Sequence, residues 1–300
     1  MNSLPNSELE KFAAALVEGA RRELYLTPKP GLVDLADSGS HADLSLPVME
    51  RSIVLLSDYL AELVRSLADG APFAEQQRIG MAAERRQFDT LATNTHKGFI
   101  FLSGMLLIAF CHAGSADERA LRAALSELAA DFFRNGEQTS SNGQKARRKY
   151  GAGGIVVETA RGFPSIFAEA LPAFRASRRR SACVQTASFA MLARLMQTVD
   201  DTTTLHRLGE AGLAQIRRDG SELEARIARG GDYIGYLEAL NRSYIRMNIT
   251  MGGVADMLAV AFGYLVANGE IAPQGDLLDA RATAAGAAHN PVRAEDTAEY

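Results

Sequence analysis

The apolar residues of this 300-residue chain recur every three to four positions, and this helical spacing constrains the fold more than any other feature. Alternating runs of β-branched residues, which are typical of strands, are nearly absent. The first clear pattern is NSELEKFAAALVEGARRELYL, which places Leu9, Phe12, Ala13, Leu16 and Ala20 on one helical face. The sequence therefore predicts an all-α fold.

The same spacing, interrupted by Gly and Pro, predicts further helices. Their approximate ranges are 46–69, 73–90, 96–113, 117–134, 164–176, 181–198, 204–217, 231–246 and 253–267. We predict one multi-helix domain over residues 1–268, with a polar cleft formed by loops between helices, and a polar C-terminal tail over 269–300. The polar loops at 27–45, 135–154 and 199–204 are the predicted positions of functional residues, because rigid scaffolds commonly carry function on such loops.

The composition excludes several classes of partner. With 32 basic and 36 acidic residues, the net charge of −4 provides no overall attraction to nucleic acid or to an anionic membrane. The most apolar run, Phe99 to Cys111, is shorter than the ~20 residues of a membrane span, and the N-terminus lacks signal-peptide features.

Cys111 and Cys183 lie in apolar helical runs and are predicted to be reduced core residues. We therefore predict a cytoplasmic protein with small-molecule ligands; the sequence leaves homo-oligomer formation open.

The motif TPKPGLVD places a lysine, Lys29, between two prolines. Proline fixes its own φ and disfavours helical backbone at the preceding residue, so Lys29 is predicted to lie outside a helix. Gly31 permits a tight bend that returns Asp34 towards Lys29. His41 and Asp43 follow in the same loop. A helix end with a solvated lysine is the alternative interpretation of this motif.

The motif TNTHKG stands directly before the most apolar helix of the chain. Thr93 or Asn94 is a candidate cap for that helix, and the backbone N–H groups at its start favour an anion beside Lys97. A purely structural polar cap explains Asn94 but leaves His96 and Lys97 unexplained.

The segment NGQKARRKYGAGG joins Arg147 and Arg148 to a glycine-rich turn. Clustered cations beside such a turn suit a polyphosphate. The spacing is not that of a P-loop, and a solvated basic face is the alternative.

Two further motifs carry carboxylates. In VDDTTTLHR, Asp201 and the hydroxyl groups that follow it suit Mg²⁺, and the same aspartate equally suits a helix N-cap. In GGVADMLA, Gly252 and Gly253 permit the close approach of a ligand or a helix. Asp256 follows in the first turn, where it either takes part in the site or complements the helix dipole.

Taken in order, LTPKPGLVD, HAD, TNTHKG, ETARGFP, DDTTTLHR and GGVADMLA resemble the triphosphoribosyl-dephospho-CoA synthase family between about residues 20 and 265. The resemblance implies an all-helical enzyme in which the 2′-hydroxyl of 3′-dephospho-CoA attacks C1′ of the ATP ribose and adenine leaves. ATP is then a substrate, and Mg²⁺ is expected. The product is the prosthetic-group precursor for the acyl carrier protein of malonate decarboxylase or citrate lyase, and LVDLADSGSHADLSLP is nearer to the malonate branch.

On this resemblance we assign three sets of site residues. The catalytic set is Asp34, His96 and Asp201, with His96 orienting or protonating a substrate. The nucleotide-binding set is Lys29, Asn94, Thr95, Lys97, Arg147, Arg148, Gly252 and Gly253. The metal-binding set is Asp34, Asp43, Asp201 and Asp256.

The chain departs from the family pattern in four segments. It has GIVVE where the family has GARGE, DTT for DTN and TMGGVAD for SPGGSAD, and Leu91 and Ala92 replace the family's double glycine before NTHKG. These differences keep two alternatives open. One is a diverged enzyme that uses another acceptor or hydrolyses the N-glycosidic bond, and the other is a non-catalytic helical protein that binds nucleotides.

Overall fold

The computed structural model describes residues 4–135 and 149–273, which form eleven α-helices and, within these two ranges, no strand. The helices are α1 Asn6–Tyr25, α2 Leu46–Ala68, α3 Phe73–Leu91, α4 Lys97–Ala113, α5 Glu118–Asn135, α6 Gly154–Ala160, α7 Leu171–Arg180, α8 Val184–Thr198, α9 Thr202–Ala228, α10 Tyr233–Met247 and α11 Gly252–Ala267. A π-helical turn, Ser165–Ala170, leads directly into α7. The all-α prediction is confirmed; the division of the chain at residue 268 stays a prediction.

Three regions differ from the sequence-based prediction, and in one of them the helix predicted over 164–176 is a π-helical turn followed by α7, which ends later, at Arg180. The pattern ended one helix at residue 217, but α9 continues to Ala228 through a break in regular helical geometry at Gly209, whose φ is 67°. Its second half follows α8 closely, because Gly220 has no Cβ; one built there would lie 2.8 Å from the Ala193 carbonyl oxygen. Helix α6 was not predicted, since seven residues are too few to show a helical period.

Helices α1 and α11 cross in direct backbone contact at the centre of the fold. A Cβ on Gly19 would lie 2.3 Å from the Ala259 carbonyl oxygen, and one on Gly263 would lie 2.9 Å from Leu16 Cα. Residue numbers rise along α1 as they fall along α11, so the two helices are antiparallel. This crossing sets the separation of side chains near the end of α1 and the start of α11.

The most apolar helices bear on the question of a membrane span. In the described ranges no individual helix has both the length and the apolar character of such a span; Lys97–Ala113 and Glu118–Ala130 meet both criteria only as a pair bent by 113°.

Cys111 and Cys183 are free thiols. The prediction that both are core residues is wrong for Cys183, which is exposed because it precedes the first turn of α8.

Candidate active site

The loop between α1 and α2 folds back on itself around Asp34. The carboxylate of Asp34 accepts hydrogen bonds from the backbone N–H groups of Lys29 and Ala36, each at 2.7 Å. The predicted return of Asp34 towards Lys29 is thus confirmed. On α10, Asn241 holds the loop in place, since its Oδ1 accepts from the Gly31 N–H at 2.9 Å.

The side chain of Lys29 is fully buried and its Nζ donates to Oε1 of Glu23 at 2.5 Å. The solvated-lysine interpretation is therefore wrong, and contact between Lys29 and a phosphate would require this ion pair to open. Sequence reasoning missed Glu23. The available signal was its position, because Leu16, Ala20 and Glu23 follow one another on the buried face of α1. Burial raises the pKa of Glu23, and the ammonium group of Lys29 opposes this effect.

Asp256 of α11 lies against the first turn of α4. A Cβ on Gly98 would lie 2.0 Å from Asp256 Oδ2, and the Phe99 N–H donates a hydrogen bond to the carboxylate. The Phe99 N–H at the start of α4 thus already has a protein carboxyl group as its partner, and the anion predicted beside Lys97 stays a prediction. Burial is the main cause that raises the pKa of Asp256 well above its usual range, and the negative charges of Glu23 and Asp201 add to it.

Asp201 is fully buried and connects the first turns of two helices. Its Oδ1 accepts from the Thr204 N–H of α9 at 2.8 Å, and its Oδ2 accepts from the Val254 N–H of α11 at 2.9 Å. The N-cap interpretation is confirmed. Close approach also explains both glycines before α11, because a Cβ on Gly253 would lie 3.0 Å from Asp201 Oδ2 and one on Gly252 would lie 3.1 Å from the hydroxyl oxygen of Thr203.

We expect Asp201→Ala to lower the free energy of unfolding by about 2 kcal/mol or more, because it removes two helix caps that contribute ~1 kcal/mol each. Asp232→Ala is the matched control, since Asp232 caps only α10, through the Gly235 N–H at 2.8 Å. Urea denaturation measures both variants. Equal losses would contradict the double-cap role of Asp201.

His96 is buried immediately before α4, where it occupies the N-cap position without a capping side-chain bond. Its Nδ1 lies 2.6 Å from Ser52 Oγ, whereas its Nε2 is buried without a hydrogen-bond partner among the described residues. Burial and, to a smaller extent, the charge of Lys29 lower the pKa of His96 to about 4. At neutral pH the ring is uncharged, so in this state it is not a proton donor of the imidazolium type.

The two residues at the start of TNTHKG differ in exposure, since Thr93 is buried. Neither Thr93 nor Asn94 caps α4, and that prediction is wrong because the helix begins later, at Lys97. The Thr93 hydroxyl instead donates to Asp43, which lowers the pKa of that carboxyl group. Asn94 is exposed.

Lys97 is more than half exposed, and its Nζ lies 2.7 Å from Oε2 of Glu84. An ion pair this exposed opens at little cost, so Lys97 can turn towards a ligand. Arg147 and Arg148, the predicted basic cluster, lie outside the described residues.

Two cavities are lined by residues of the sequence motifs. One, of about 550 Å³, is open and brings HAD together with the last residue of DDTTTLHR; its polar lining includes His41, Asp43, Arg207 and Asn248. The other, of about 260 Å³, brings GIVVE and ETARGFP together; its polar lining includes Glu158, Arg161, Ser165 and Asp200. The Nε2 of His41 lies 2.8 Å from Thr250 Oγ1, and the Thr250 carbonyl accepts from Thr204, so the first cavity is linked to the residues around Asp201.

The predicted metal ligands are not all equivalent. In the described ranges, no group of three His, Cys, Asp or Glu residues is arranged to hold a metal ion. Asp34 and Asp201 already accept backbone hydrogen bonds on both carboxylate oxygens. Asp43 and Asp256 have fewer such bonds. Since Mg²⁺ commonly binds through one or two carboxylates plus substrate phosphates and water, the residues fit an ion that arrives on a triphosphate.

Comparison with known proteins gives the same family as the motifs. A family described as ATP:dephospho-CoA triphosphoribosyl transferase matches residues 9–271. A Pseudomonas putida protein named "Probable 2-(5''-triphosphoribosyl)-3'-dephosphocoenzyme-A synthase" is 32% identical over 83% of this chain and 92% of its own length. A Klebsiella pneumoniae protein with the same name, without "Probable", is 34% identical over 82% of this chain and 89% of its own length. No solved structure gives a significant match. The chain therefore belongs to the ATP:dephospho-CoA triphosphoribosyl transferase family.

Proposed function

We propose that this chain transfers the triphosphoribosyl group of ATP to the 2′-hydroxyl of 3′-dephospho-CoA and releases adenine. One structural observation carries the proposal beyond family membership. Three acidic side chains come from three separate parts of the chain, and two of them, Glu23 and Asp201, lie near enough to Asp256 for their charges to raise its pKa. The first turns of α4, α9 and α11 meet beside them.

This arrangement suits the charges of the reaction. The hydroxyl oxygen forms a bond to C1′ while the C1′–N9 bond breaks and its electron pair leaves with adenine. The hydroxyl loses a proton and adenine gains one, so no proton is consumed. C1′ becomes positively charged as adenine departs, and this charge both favours the ionised form of a nearby carboxyl group and is stabilised by it. Displacement from the opposite face would invert the configuration at C1′.

Asp256 is our candidate Mg²⁺ ligand. The charged groups that shift its pKa are both carboxylates, so a cation beside it would remove an unfavourable interaction. The ion would supply charge neutralisation of the triphosphate when it binds. Asp43, at the edge of the open cavity, is the second candidate.

Lys97 is our candidate phosphate contact, because its charge is exposed one residue after His96. For Lys29 we propose an indirect contribution, in which its ammonium group fixes the position of Glu23.

The proposal is tested by measuring adenine release from ATP with and without 3′-dephospho-CoA and Mg²⁺, with mass spectrometry of the products. A coupled product that forms only with the acceptor present supports the transferase. Adenine release without the acceptor, together with free ribose triphosphate, would indicate hydrolysis. ATP binding without any adenine release would indicate a non-catalytic nucleotide-binding protein.

We further propose that the product supplies malonate decarboxylase or citrate lyase. The malonate branch is favoured by the segment LVDLADSGSHADLSLP, most of which forms the loop before α2. Attachment of the isolated product to each apo acyl carrier protein, by the matching carrier-protein transferase, does not distinguish the two systems. Loss of malonate decarboxylase or citrate lyase holo-protein in cells that lack this gene does.

A further inference from the structure

A continuous row of polar side chains connects α3, α2 and the ring of His96. The Oε1 of Gln87 lies 2.6 Å from Thr95 Oγ1, which lies 2.7 Å from Ser52 Oγ, which in turn lies 2.6 Å from His96 Nδ1. Ser52 and Gln87 are buried and Thr95 is half-buried. Each hydroxyl has one proton to donate. Once the donor and acceptor at the Gln87 end of the row are known, the direction of every following hydrogen bond is therefore determined.

The orientation of Gln87 fixes that end. Its Nε2 donates to the Ser52 carbonyl oxygen at 3.3 Å, so its Oε1 faces Thr95 and accepts the threonine proton. Thr95 then has no second proton to donate, so in the hydrogen bond between the two hydroxyl groups Ser52 is the donor and Thr95 the acceptor. Ser52 in turn has none left, so Nδ1 of His96 donates to Ser52. A neutral imidazole carries one N–H, and Nε2 of His96 therefore holds a lone pair.

No donor among the described residues uses this lone pair. The Nε2 atom is buried and has no hydrogen-bond partner among the described residues. An unsatisfied buried polar atom costs about 1–3 kcal/mol, so such atoms are rare in native proteins and a catalytic role is one explanation for those that persist. The ring stays neutral because it is buried and because Lys29 is positively charged nearby. The atom is thus kept as an acceptor for a proton donor that the protein itself does not provide.

We propose that Gln87, Thr95 and Ser52 are positioning residues that hold His96 in the Nδ1–H tautomer, so that Nε2 accepts the proton of the attacking hydroxyl of the acceptor substrate. This inference rests on the proposed transferase function. As the hydroxyl oxygen bonds to C1′, its proton moves to Nε2 and the C1′–N9 electron pair leaves with adenine. The imidazolium then releases the proton to solvent, and the departing adenine takes one from solvent. The nucleotide-binding role that the sequence suggested for Thr95 is replaced by a positioning role in this proposal.

The matched variants are Thr95→Val, which keeps the shape of the side chain but removes the hydroxyl, and Thr95→Ser, which keeps the hydroxyl. Nitrogen-15 NMR of the full-length protein, with the His96 signal assigned by its absence in His96→Gln, reports the tautomer directly. We expect the Nδ1–H tautomer in the wild type and in Thr95→Ser, and a mixture of tautomers in Thr95→Val. We expect kcat for adenine release to fall about 10- to 100-fold in Thr95→Val, with KM for ATP unchanged, because general-base catalysis contributes ~10²–10⁴-fold.

Ser52→Ala is the second variant, with the same expected result if Thr95→Val fails to fold. An Nε2–H tautomer in the wild type would overturn the inference. So would wild-type kcat in a folded Thr95→Val, and a raised KM for ATP with normal kcat would restore Thr95 as a nucleotide contact. If the wild type releases no adenine, the transferase proposal fails, whereas the NMR result still decides whether the hydrogen-bonded row fixes the tautomer.

Discussion

Lys29→Met is expected to lower the free energy of unfolding by about 3–5 kcal/mol, because it leaves the buried carboxylate of Glu23 without its cation. The loss of unfolding free energy relative to wild type should be largest at alkaline pH. Burial already raises the pKa of Glu23 in the folded protein, and removal of Lys29 raises it further. As the pH falls, Glu23 takes up a proton and the unpaired charge disappears, so the deficit relative to wild type shrinks. Urea denaturation between pH 6 and about 9 measures this change.

The double variant Glu23→Gln/Lys29→Met is the control. It replaces both charged groups by neutral ones of similar size, and replacing a buried pair is commonly close to neutral for stability. We expect it to recover most of the loss but not the adenine release, since Glu23 belongs to the carboxylate cluster. A single-variant loss below about 1 kcal/mol would contradict tight coupling of the pair. Wild-type affinity of the double variant for ATP would exclude Lys29 as a phosphate ligand.

Asp256→Asn is expected to raise stability and to slow catalysis strongly. The pKa of Asp256 is higher in the folded than in the unfolded chain, so between these two values the folded state binds more protons. The free energy of unfolding contributed by this group therefore decreases as the pH rises through that window and is lowest above it. The uncharged asparagine lacks this penalty. We expect Tm at pH 8 to rise by a few degrees, since 1 kcal/mol corresponds to about 2–4 °C in a domain of this size, and adenine release to fall at least ~100-fold.

The metal role of Asp256 has its own measurement. In the wild type, Mg²⁺ added with ATP should raise Tm further than ATP alone, because a ligand that binds only the folded state stabilises it. In Asp256→Asn this additional shift should be lost. Asp89→Asn, on the exposed side of α3, is the matched control and should behave as wild type. A full Mg²⁺-dependent shift in Asp256→Asn would show that the ion is bound elsewhere.

Helical spacing predicted α2 to α5 closely, because each has a long apolar face and ends near Gly, Pro or a polar turn. The return of Asp34 to Lys29 was equally predictable, since local Pro and Gly geometry causes it. The ion-pair partner of Lys29 could not be predicted in this way, because Glu23 precedes the loop and is buried by packing against distant parts of the chain. The coupling between Asp201 and Asp256 likewise requires α9, α11 and α4 to meet. Sequence patterns report local geometry, and these contacts arise from tertiary packing.

The backbone contact between α1 and α11 makes the candidate site adjustable from a distance. Glu23 follows Gly19 by four residues, or about 6 Å along α1, and Asp256 precedes Gly263 by seven residues, or about 10 Å along α11. Neither glycine belongs to the site, yet a methyl group on either would force the two helix axes apart. The spacing of the acidic groups is thus encoded by the absence of two Cβ atoms, and Gly→Ala changes at these positions offer a means of widening the site without altering its chemistry.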